Sequence, residues 1–235
     1  MRISVIYPAY NEKAQIEQTM QRSLEALGSQ FDAFEIIVVN DASTDRTGEI
    51  VARMAADYPV IRVIHNVRNL GSGKSILVGF SAARYELVTH NGIDYPFDLR
   101  DLAKMVPLLS EADVVVAART RRAGYTLYRK FISATNVALL NLLFGLGLKD
   151  YNFVQLYRRE VLNAVSPVAD STGFLTPGIL IRAHELGFRI RQVPVEYHPR
   201  TTGVATAGSF RVVWASFRDM MKFWLDRKRY SAQRP

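Results

Sequence analysis

The chain has 235 residues and 49% hydrophobic content, enough for one α/β domain with a substantial core. It has no cysteine, which excludes disulfide frameworks and thiolate metal sites. The net charge is +8, and residues 182–235 hold 11 lysines and arginines against 4 acidic residues, so this basic patch can face anionic lipid, nucleic acid or phosphorylated substrates.

The elements of the first half alternate between strand and helix. Short apolar runs predict buried parallel strands at residues 3–7, 35–40, 60–65, 85–90 and 112–118. Apolar spacing and capping residues predict helices at residues 12–27, 45–57, 75–83 and 99–110. The pattern predicts an α/β fold with a mainly parallel central sheet and helices on both faces.

The regular alternation of strand and helix ends after residue 119. An arginine-rich segment leads into a long apolar helix at 131–146, followed by a strand at 152–157, a helix at 176–186, a strand at 189–197 and a helix at 210–229. The longest apolar run, residues 137–148, contains Asn141 and two glycines and is shorter than the roughly 20 residues that span a bilayer. We expect a single cytoplasmic domain without a signal peptide or a membrane span.

Polar clusters follow the first two predicted strands. The first strand is followed by Pro8, Tyr10, Asn11 and Glu12. The second ends in Asn40 and Asp41, and Ser43, Thr44 and Asp45 come next, where they are expected to cap a helix. Ligands bind beyond the carboxyl ends of such strands, and these groups can read a pyrimidine or guanine base and a ribose diol. The simpler alternative is a pair of loops that only end strands and cap helices.

The Pro-Ala-Tyr-Asn-Glu turn at residues 8–12 and the Asp-x-Ser-x-Asp turn at 41–45 resemble the family 2 glycosyltransferases of GT-A fold. The resemblance implies that Glu12 and Asp41 contact the base and ribose of a nucleotide sugar. It places Pro8, Tyr10 and Asn11 in the same nucleotide-sugar site.

Residues 69–75, Asn-Leu-Gly-Ser-Gly-Lys-Ser, look like a P-loop but lack its first glycine, because position 68 is arginine. We therefore reject ATP binding here. The segment matches the Asn-x-Gly segment of the resembled family, which implies that Lys74 approaches the nucleotide. A glycine turn that caps the next helix is the alternative.

The resembled family carries a metal-binding Asp-x-Asp after its fourth strand, whose oxygen ligands hold Mg²⁺ or Mn²⁺ against the diphosphate. In one register only Asp94 is retained, and in the other His90 and Gly92 occupy the acidic positions. We favour the first register, which gives Asp94 as a catalytic residue and single metal ligand and leaves metal dependence open. Asp98 and Asp101 are expected to begin the following helix, where negative charge suits its dipole.

Segments 129–133, 149–153 and 157–162 are similar to the polyprenyl-phosphate glycosyltransferases, which include the dolichyl-phosphate mannosyltransferase group. That likeness implies that Arg129 and Ser133, together with Arg119, bind the lipid phosphate, a role that suits the arginine fork. In segment 193–203 it implies that Arg200 faces the phosphates shared by donor and acceptor. A solvated basic loop and a surface arginine are the alternatives, and we assign His198 to packing or the surface.

Residues 172–178 hold no acidic side chain that could deprotonate a hydroxyl acceptor. A phosphate monoester is already largely dianionic at neutral pH, so this composition favours a phosphate acceptor. Residues 210–229 combine an aromatic stripe with a basic face, which suits either a membrane interface or packing on the domain core.

The resemblance therefore implies an inverting hexosyltransferase of cell envelope glycan synthesis, using a UDP- or GDP-linked sugar and a polyprenyl-phosphate acceptor. We expect residues 1–118 to bind the nucleotide sugar, 119–209 the acceptor, and 210–235 the inner face of the membrane. Two alternatives stay open: transfer to a sugar or other hydroxyl, and a degenerate protein that binds nucleotide sugar without turnover. Nucleic-acid binding has little support, because no recognised module accompanies the charge.

Overall fold

The computed structural model describes residues 1–120, 125–165, 172–198 and 210–231. Seven strands form one sheet in the order β3-β2-β1-β4-β6-β5-β7. They are β1 Arg2–Ala9, β2 Ala33–Asn40, β3 Ile61–His65, β4 Leu87–His90, β5 Val114–Arg119, β6 Gln155–Arg158 and β7 Ile190–Val195. Only β6 runs antiparallel to its neighbours β4 and β5, and all other pairings are parallel. The predicted α/β fold with a mainly parallel sheet is confirmed.

The helices lie between these strands and after the last of them. They are α1 Ile16–Gly28, α2 Thr47–Asp57, α3 Ser72–Ala82, α4 Leu102–Met105, α5 Leu127–Phe144, α6 Arg159–Ala164, α7 Thr172–Glu185 and α8 Phe210–Ser231. Short 3-10 turns, Leu99–Asp101 and Val106–Ser110, flank α4. Within the described ranges, no helix combines the length and the apolar composition that crossing a membrane requires.

Two apolar clusters cover the two faces of the sheet, because successive strand residues point to opposite sides. Val5 belongs to the cluster under α1, α2 and α4, whereas its neighbour Ile6 belongs to the cluster under α3, α5, α7 and α8. The predicted placement of helices on both faces is therefore confirmed.

Several element boundaries differ from the predictions. Helix α1 begins at Ile16 rather than residue 12, since the Glu12 carbonyl accepts hydrogen bonds from the backbone of both Gln15 and Ile16 and closes a turn. Helix α5 begins at Leu127, where Thr126 caps it by accepting from the Arg129 backbone N–H. Helix α6 was not predicted, because six residues are too few to show helical periodicity.

Six strands end at the same edge of the sheet, which we call the carboxyl edge, because β1, β2, β3, β4, β5 and β7 all run in one direction. Among the described residues, three that are not glycine have a positive φ: Asn11, Ala42 and Tyr95. All three lie in turns that follow β1, β2 or β4. Left-handed backbone in such residues is uncommon and concentrates at functional sites, so this edge is where a site is to be sought.

Candidate active site at the carboxyl edge

The turns that follow β1 and β2 are hydrogen-bonded to one another. The Asn11 side-chain Oδ1 accepts from the backbone N–H of Thr44 at 2.8 Å and of Asp45 at 3.3 Å. In return the Asn11 backbone N–H donates to Ser43 Oγ at 3.1 Å. Ser43 and Thr44 therefore join the two turns instead of capping α2, which corrects their predicted role. Of the three predicted capping residues, only Asp45 reaches the helix, accepting from the Thr47 backbone N–H at 2.9 Å.

Asp41 lies at the centre of the neighbouring loop and is only 2% exposed. Its Oδ1 accepts from Asn66 Nδ2 at 2.7 Å and from the Leu70 backbone N–H at 2.8 Å. Its Oδ2 accepts from the Gly71 backbone N–H at 2.8 Å. These three bonds hold the Asp41 carboxylate in place and tie the end of β2 to the residue after β3 and to the loop before α3.

Backbone donors of the P-loop-like segment, residues 69–75, are thus bonded to a side chain of the protein itself. The backbone N–H groups of Leu70 and Gly71, which a phosphate loop would present to its ligand, point at the Asp41 carboxylate. Gly71 has φ +84° and directly precedes α3, which carries the exposed Lys74 in its first turn. Because α3 follows β3, Lys74 in its first turn lies at the carboxyl edge.

The turn after β4 contains the positions that correspond to the Asp-x-Asp motif of the resembled family. His90 is buried, and its Nε2 lies 3.2 Å from Gln155 Oε1, which faces the ring because Gln155 Nε2 donates to the Tyr151 carbonyl. Burial lowers the pKa of His90 to about 4, although the hydrogen bond to Gln155 acts in the opposite direction. The register that places His90 at an acidic position therefore puts a neutral, hydrogen-bonded side chain there.

Asp94 is half-buried in the same turn, and its carboxylate lies close to Gly92. A Cβ atom added at residue 92 would come within 2.4 Å of Asp94 Oδ1, so a larger residue there would displace the Asp94 carboxylate. Asp98 accepts from the Arg100 backbone N–H and begins the following 3-10 turn, as predicted. Among the described residues, no three His, Asp or Glu side chains cluster closely enough to form a metal site on their own.

Arg119 and Asp150 form a buried ion pair behind this turn. Arg119 Nε lies 2.6 Å from Asp150 Oδ2 and its Nη2 lies 2.9 Å from Oδ1, with side-chain exposures of 7% and 2%. Burial lowers the pKa of Arg119, but the hydrogen bonds and charge of Asp150 outweigh it, and the net shift is upward. The Arg119 guanidinium also lies within 6 Å of three aromatic rings, those of Tyr125, Phe153 and Tyr197.

Tyr125 connects Arg119 to the beginning of α5. Arg119 Nη1 donates to the Tyr125 hydroxyl at 2.8 Å. The guanidinium carbon of Arg129 lies 4.2 Å from the centroid of the Tyr125 ring, the closest of the cation–π contacts described here. Ser133 follows Arg129 by four residues, which places both side chains on one face of the helix.

Tyr197, just beyond β7, lies between Arg119 and the turn after β4. Burial is the largest cause of its raised pKa, and the Asp94 carboxylate raises it further, whereas Arg119 and Arg129 lower it. The Tyr197 ring lies 5.7 Å from the Arg119 guanidinium carbon and 5.8 Å from the Tyr125 ring, on which Arg129 stacks. The His198 backbone N–H also donates to the Pro96 carbonyl at 3.0 Å, which ties the β7 end to the turn after β4. His198 itself is exposed, as expected.

The structure brings together most of the predicted site residues at the carboxyl edge. Pro8 pairs with Val39 inside β1, Tyr10 is 46% exposed, and Glu12 is half-buried beside Thr47, whose Oγ1 accepts from the Glu12 backbone N–H at 2.8 Å. Arg200 lies outside the described residues, so its predicted role stays a prediction.

Sequence reasoning missed Asp150 and Tyr125. Asp150 pairs with a residue 31 positions away, and no local pattern marks such a contact. A buried arginine needs an acidic partner. If Arg119 had been assigned to the interior, the search for that partner would have led to Asp150. Tyr125 lay in a basic segment that offered no periodicity.

The segment without an acid, 172–178, forms the beginning of α7. Residues 174–181 are buried in the core, and the Thr176 hydroxyl donates to the Tyr151 carbonyl at 3.0 Å. This stretch therefore packs against the sheet. Within it the described side chains include no carboxylate that could serve as a base.

Solved structures share this architecture. Glucosyl-3-phosphoglycerate synthase from Mycobacterium tuberculosis, crystallised with Mn²⁺, UDP-glucose and phosphoglyceric acid, has a TM-score of 0.71 and 23% identity, covering 95% of this chain and 79% of that one. A structure of the same enzyme with Mg²⁺ and UDP has a TM-score of 0.69 and 22% identity, covering 94% and 78%. The fold is the GT-A glycosyltransferase fold.

The sequence matches the profile described as Glycosyl transferase family 2 over residues 4–165, and the chain belongs to that family. It is 32% identical over 209 residues to Glycosyltransferase AglD of Haloferax volcanii, covering 85% of this chain and 34% of that protein. It is 29% identical to undecaprenyl-phosphate 4-deoxy-4-formamido-L-arabinose transferase of Edwardsiella ictaluri, covering 90% and 64%. It is 29% identical to dolichyl-phosphate beta-glucosyltransferase ALG5A of Trichomonas vaginalis, covering 83% and 65%. The chain thus spans less than two thirds of these relatives.

Proposed function

We propose that the chain is an inverting glycosyltransferase that moves a hexose from a UDP- or GDP-linked sugar to the phosphate of a polyprenyl lipid. One arrangement carries the proposal: the Tyr197 ring contacts Arg119 at 5.7 Å and Tyr125, the ring under Arg129, at 5.8 Å. The next residue, His198, donates its backbone N–H to the Pro96 carbonyl in the turn that carries Asp94. Donor and acceptor groups therefore face one small region. The names of two family relatives, which refer to undecaprenyl phosphate and dolichyl phosphate, support the same acceptor class.

The donor side comprises the joined turns after β1 and β2 and the loop held by Asp41. In this proposal Asp41, which follows β2, and Glu12, in the turn after β1, contact the base and ribose of the nucleotide sugar. Pro8, Tyr10 and Asn11 complete the nucleotide-sugar site in this proposal. Lys74, exposed in the first turn of α3, supplies positive charge toward the diphosphate.

The acceptor side is the first turn of α5. Arg129 stacks on Tyr125 through its guanidinium group, a group that binds phosphate oxygens bidentately. Ser133 adds a hydroxyl one turn later. The Arg119 guanidinium is largely committed to Asp150 and Tyr125, so we assign it to supporting Arg129 and adding positive charge rather than to full contact with the phosphate.

In the proposed reaction an oxygen of the acceptor phosphate attacks the anomeric carbon of the hexose. The new carbon–oxygen bond forms as the bond to the nucleoside diphosphate breaks, and the electron pair leaves with the diphosphate. Attack from the opposite face inverts the anomeric centre. A phosphate dianion has no proton to lose, so the step needs no base. Arg200 and Lys74 are the residues that we propose stabilise the departing charge.

A divalent cation fits this site through Asp94. Mg²⁺ and Mn²⁺ bind through one or two carboxylates together with substrate phosphate oxygens, and Asp94 is a donor of that kind. Such an ion would neutralise charge on the leaving diphosphate. With one protein carboxylate the ion is held largely by the nucleotide, so we expect weak binding in the absence of a nucleotide sugar. We place the reaction at the cytoplasmic face of the membrane, where a water-soluble donor meets a lipid acceptor.

Two measurements on the full chain test the proposal. Thermal-shift assays with UDP- and GDP-sugars, with and without Mg²⁺ or Mn²⁺, identify the donor, and transfer to undecaprenyl phosphate in detergent identifies the acceptor. We expect Arg129→Ala to retain the donor-induced stabilisation and to lose transfer. The matched control is Arg2→Ala, which removes an arginine that stacks on Tyr85 at 5.5 Å at the amino-terminal end of β1.

Each outcome bears on a different part of the proposal. Normal turnover by Arg129→Ala contradicts the acceptor assignment. Transfer to a sugar hydroxyl, with none to undecaprenyl phosphate, supports the hydroxyl-acceptor alternative. Donor-induced stabilisation without transfer to any acceptor identifies a nucleotide-sugar-binding protein that lacks turnover.

A further inference from the structure

Helix α5 exposes an apolar stripe along its whole length. The outward positions are 127, 131, 134, 138 and 142, and the steps of three and four residues between them keep them on one face. Leu127 is 84% exposed, Phe131 70% and Leu142 80%, and positions 134 and 138 are alanine. Single exposed apolar residues are ordinary in soluble proteins, but a continuous stripe of roughly 22 Å marks a surface that something covers.

Helix α8 exposes a second apolar face. Trp214 is 57% exposed, Leu225 67%, and Phe217 and Trp224 39% each. The Trp214 and Phe217 rings lie 5.9 Å apart and form one patch. The chain has only two tryptophans, and both lie on this face. Tryptophan with an exposed apolar body and a polar N–H favours the boundary between water and lipid.

The two helices cover the same side of the sheet. Their inward faces belong to one apolar cluster, and the Phe144 ring of α5 lies 5.9 Å from the Phe223 ring of α8. The outward faces of α5 and α8 therefore belong to the same layer of the molecule. We call these faces together the α5–α8 surface.

The charges beside the α5–α8 surface are basic. Helix α5 contains Arg129 and Lys130 and no acidic residue. On α8, Arg218 and Lys222 are exposed, whereas the two acids of the helix, Asp219 and Asp226, are partly buried, and Asp219 lies 3.6 Å from Arg218. A second copy of this chain would offer these cations no acidic partner on α5, whereas an anionic lipid surface offers one at every position.

We infer that the α5–α8 surface docks on an anionic lipid bilayer, with α5 lying in the plane of the interface. The choice of a bilayer rests on the proposed function, because a polyprenyl phosphate is presented from a membrane. Helix α5 carries both the exposed stripe and the proposed phosphate residues Arg129 and Ser133. Embedding the stripe among the acyl chains therefore brings those two residues to the level of the lipid phosphates.

The two tryptophans make the docking directly measurable. We expect the emission of the full chain to shift to the blue on addition of vesicles of phosphatidylcholine with phosphatidylglycerol, and the chain to float with them. The shift should be smaller with phosphatidylcholine alone and should weaken at high salt. Leu142→Glu should lower the vesicle partition coefficient about tenfold or more, because it replaces an apolar side chain that would enter the bilayer by a charge.

The control is Tyr58→Glu, which places the same charge on a 43% exposed aromatic residue at the end of α2 and should leave vesicle binding unchanged. Absence of both the blue shift and flotation would overturn the inference. So would sedimentation showing a dimer that Leu142→Glu converts to a monomer, since the stripe would then contact a second copy.

Transfer assays separate this inference from the proposed function. Leu142 lies 13 residues, roughly 20 Å, from Arg129 along the helix, outside the proposed acceptor site. We expect Leu142→Glu to lose transfer to undecaprenyl phosphate in vesicles and to keep transfer to a short, water-soluble isoprenyl phosphate. Lack of product from either acceptor in the unchanged chain would contradict the proposed function, whereas the fluorescence shift would still report docking.

Discussion

The Arg129 guanidinium stacks on the ring of Tyr125, with 4.2 Å between the guanidinium carbon and the ring centroid. The hydroxyl of the same ring accepts from Arg119 Nη1, and Arg119 is held in turn by Asp150. A buried ion pair thus fixes the ring against which the proposed phosphate-binding arginine rests. The chain of contacts makes Tyr125 a positioning residue for Arg129.

Tyr125→Ala should therefore weaken acceptor binding without affecting the donor. A cation–π contact of about 0.5–2 kcal/mol corresponds to roughly a 2- to 30-fold rise in KM for the polyprenyl phosphate. Tyr125→Phe keeps the ring and loses only the bond to Arg119, so its effect should be smaller. Steady-state kinetics with each substrate varied separately measures both values. Tyr85→Ala, at the Arg2 stack, is the matched control, and a change in donor KM in Tyr125→Ala would contradict the positioning role.

The Arg119–Asp150 pair should be costly to break and less costly to replace. Asp150→Ala leaves a buried guanidinium without its main partner, and we expect a loss of about 3–5 kcal/mol in the free energy of unfolding. The double variant Arg119→Met with Asp150→Leu removes both charges and should recover most of that loss. Urea unfolding of the single and double variants measures the difference. Equal destabilisation in the two would show that the charges do not interact.

Much of the sheet could be predicted because its signal is local. Apart from Ser4, residues 3–7 are apolar on both faces, as a strand covered by two helix layers requires, and β1 and β2 appear where expected. The polar clusters after these strands share one edge because parallel strands end together. These two facts place Asn11, Glu12 and Asp41 in one region without any knowledge of side-chain geometry.

The remaining features depend on contacts between distant residues. Ser43 and Thr44 have the residue types of a helix cap. They form hydrogen bonds with Asn11, whose backbone is left-handed, and do not cap α2. Asp41 has the spacing of a ligand-binding acid, yet three internal donors surround it. The stripe on α5 has the same periodicity that a core-facing helix shows, so the sequence alone does not say which face is covered.

Asp41 should control the donor site through the loop that it holds. Asp41→Asn replaces one acceptor oxygen by an NH₂ group, so one of the three N–H donors loses its partner, at about 1–3 kcal/mol. We expect this variant and Asp41→Ala to lose the thermal stabilisation that the nucleotide sugar gives. Asp57→Asn, an exposed acid at the end of α2, is the control. Undiminished stabilisation in Asp41→Ala would exclude Asp41 from the donor site.

His90 should make the folded chain sensitive to mild acid. Burial lowers the pKa of His90 to about 4 in the folded state, whereas an unfolded histidine titrates near 6.5. Between those two values the unfolded state binds more protons, so stability is fully present above about pH 6.5 and falls as the pH decreases toward 4. The loss between pH 7.5 and pH 5 should be on the order of 2 kcal/mol.

His90→Gln keeps a donor for Gln155 Oε1 and removes the titrating ring, so the variant should lose less stability over the same interval. His184→Gln, at an exposed position of α7, should behave like the unchanged chain. Urea unfolding at pH 7.5, 6 and 5 compares the three proteins above the range in which carboxylates titrate. An equal pH dependence in His90→Gln and the unchanged chain would show that His90 is not the group responsible, because the proton uptake would then come from elsewhere.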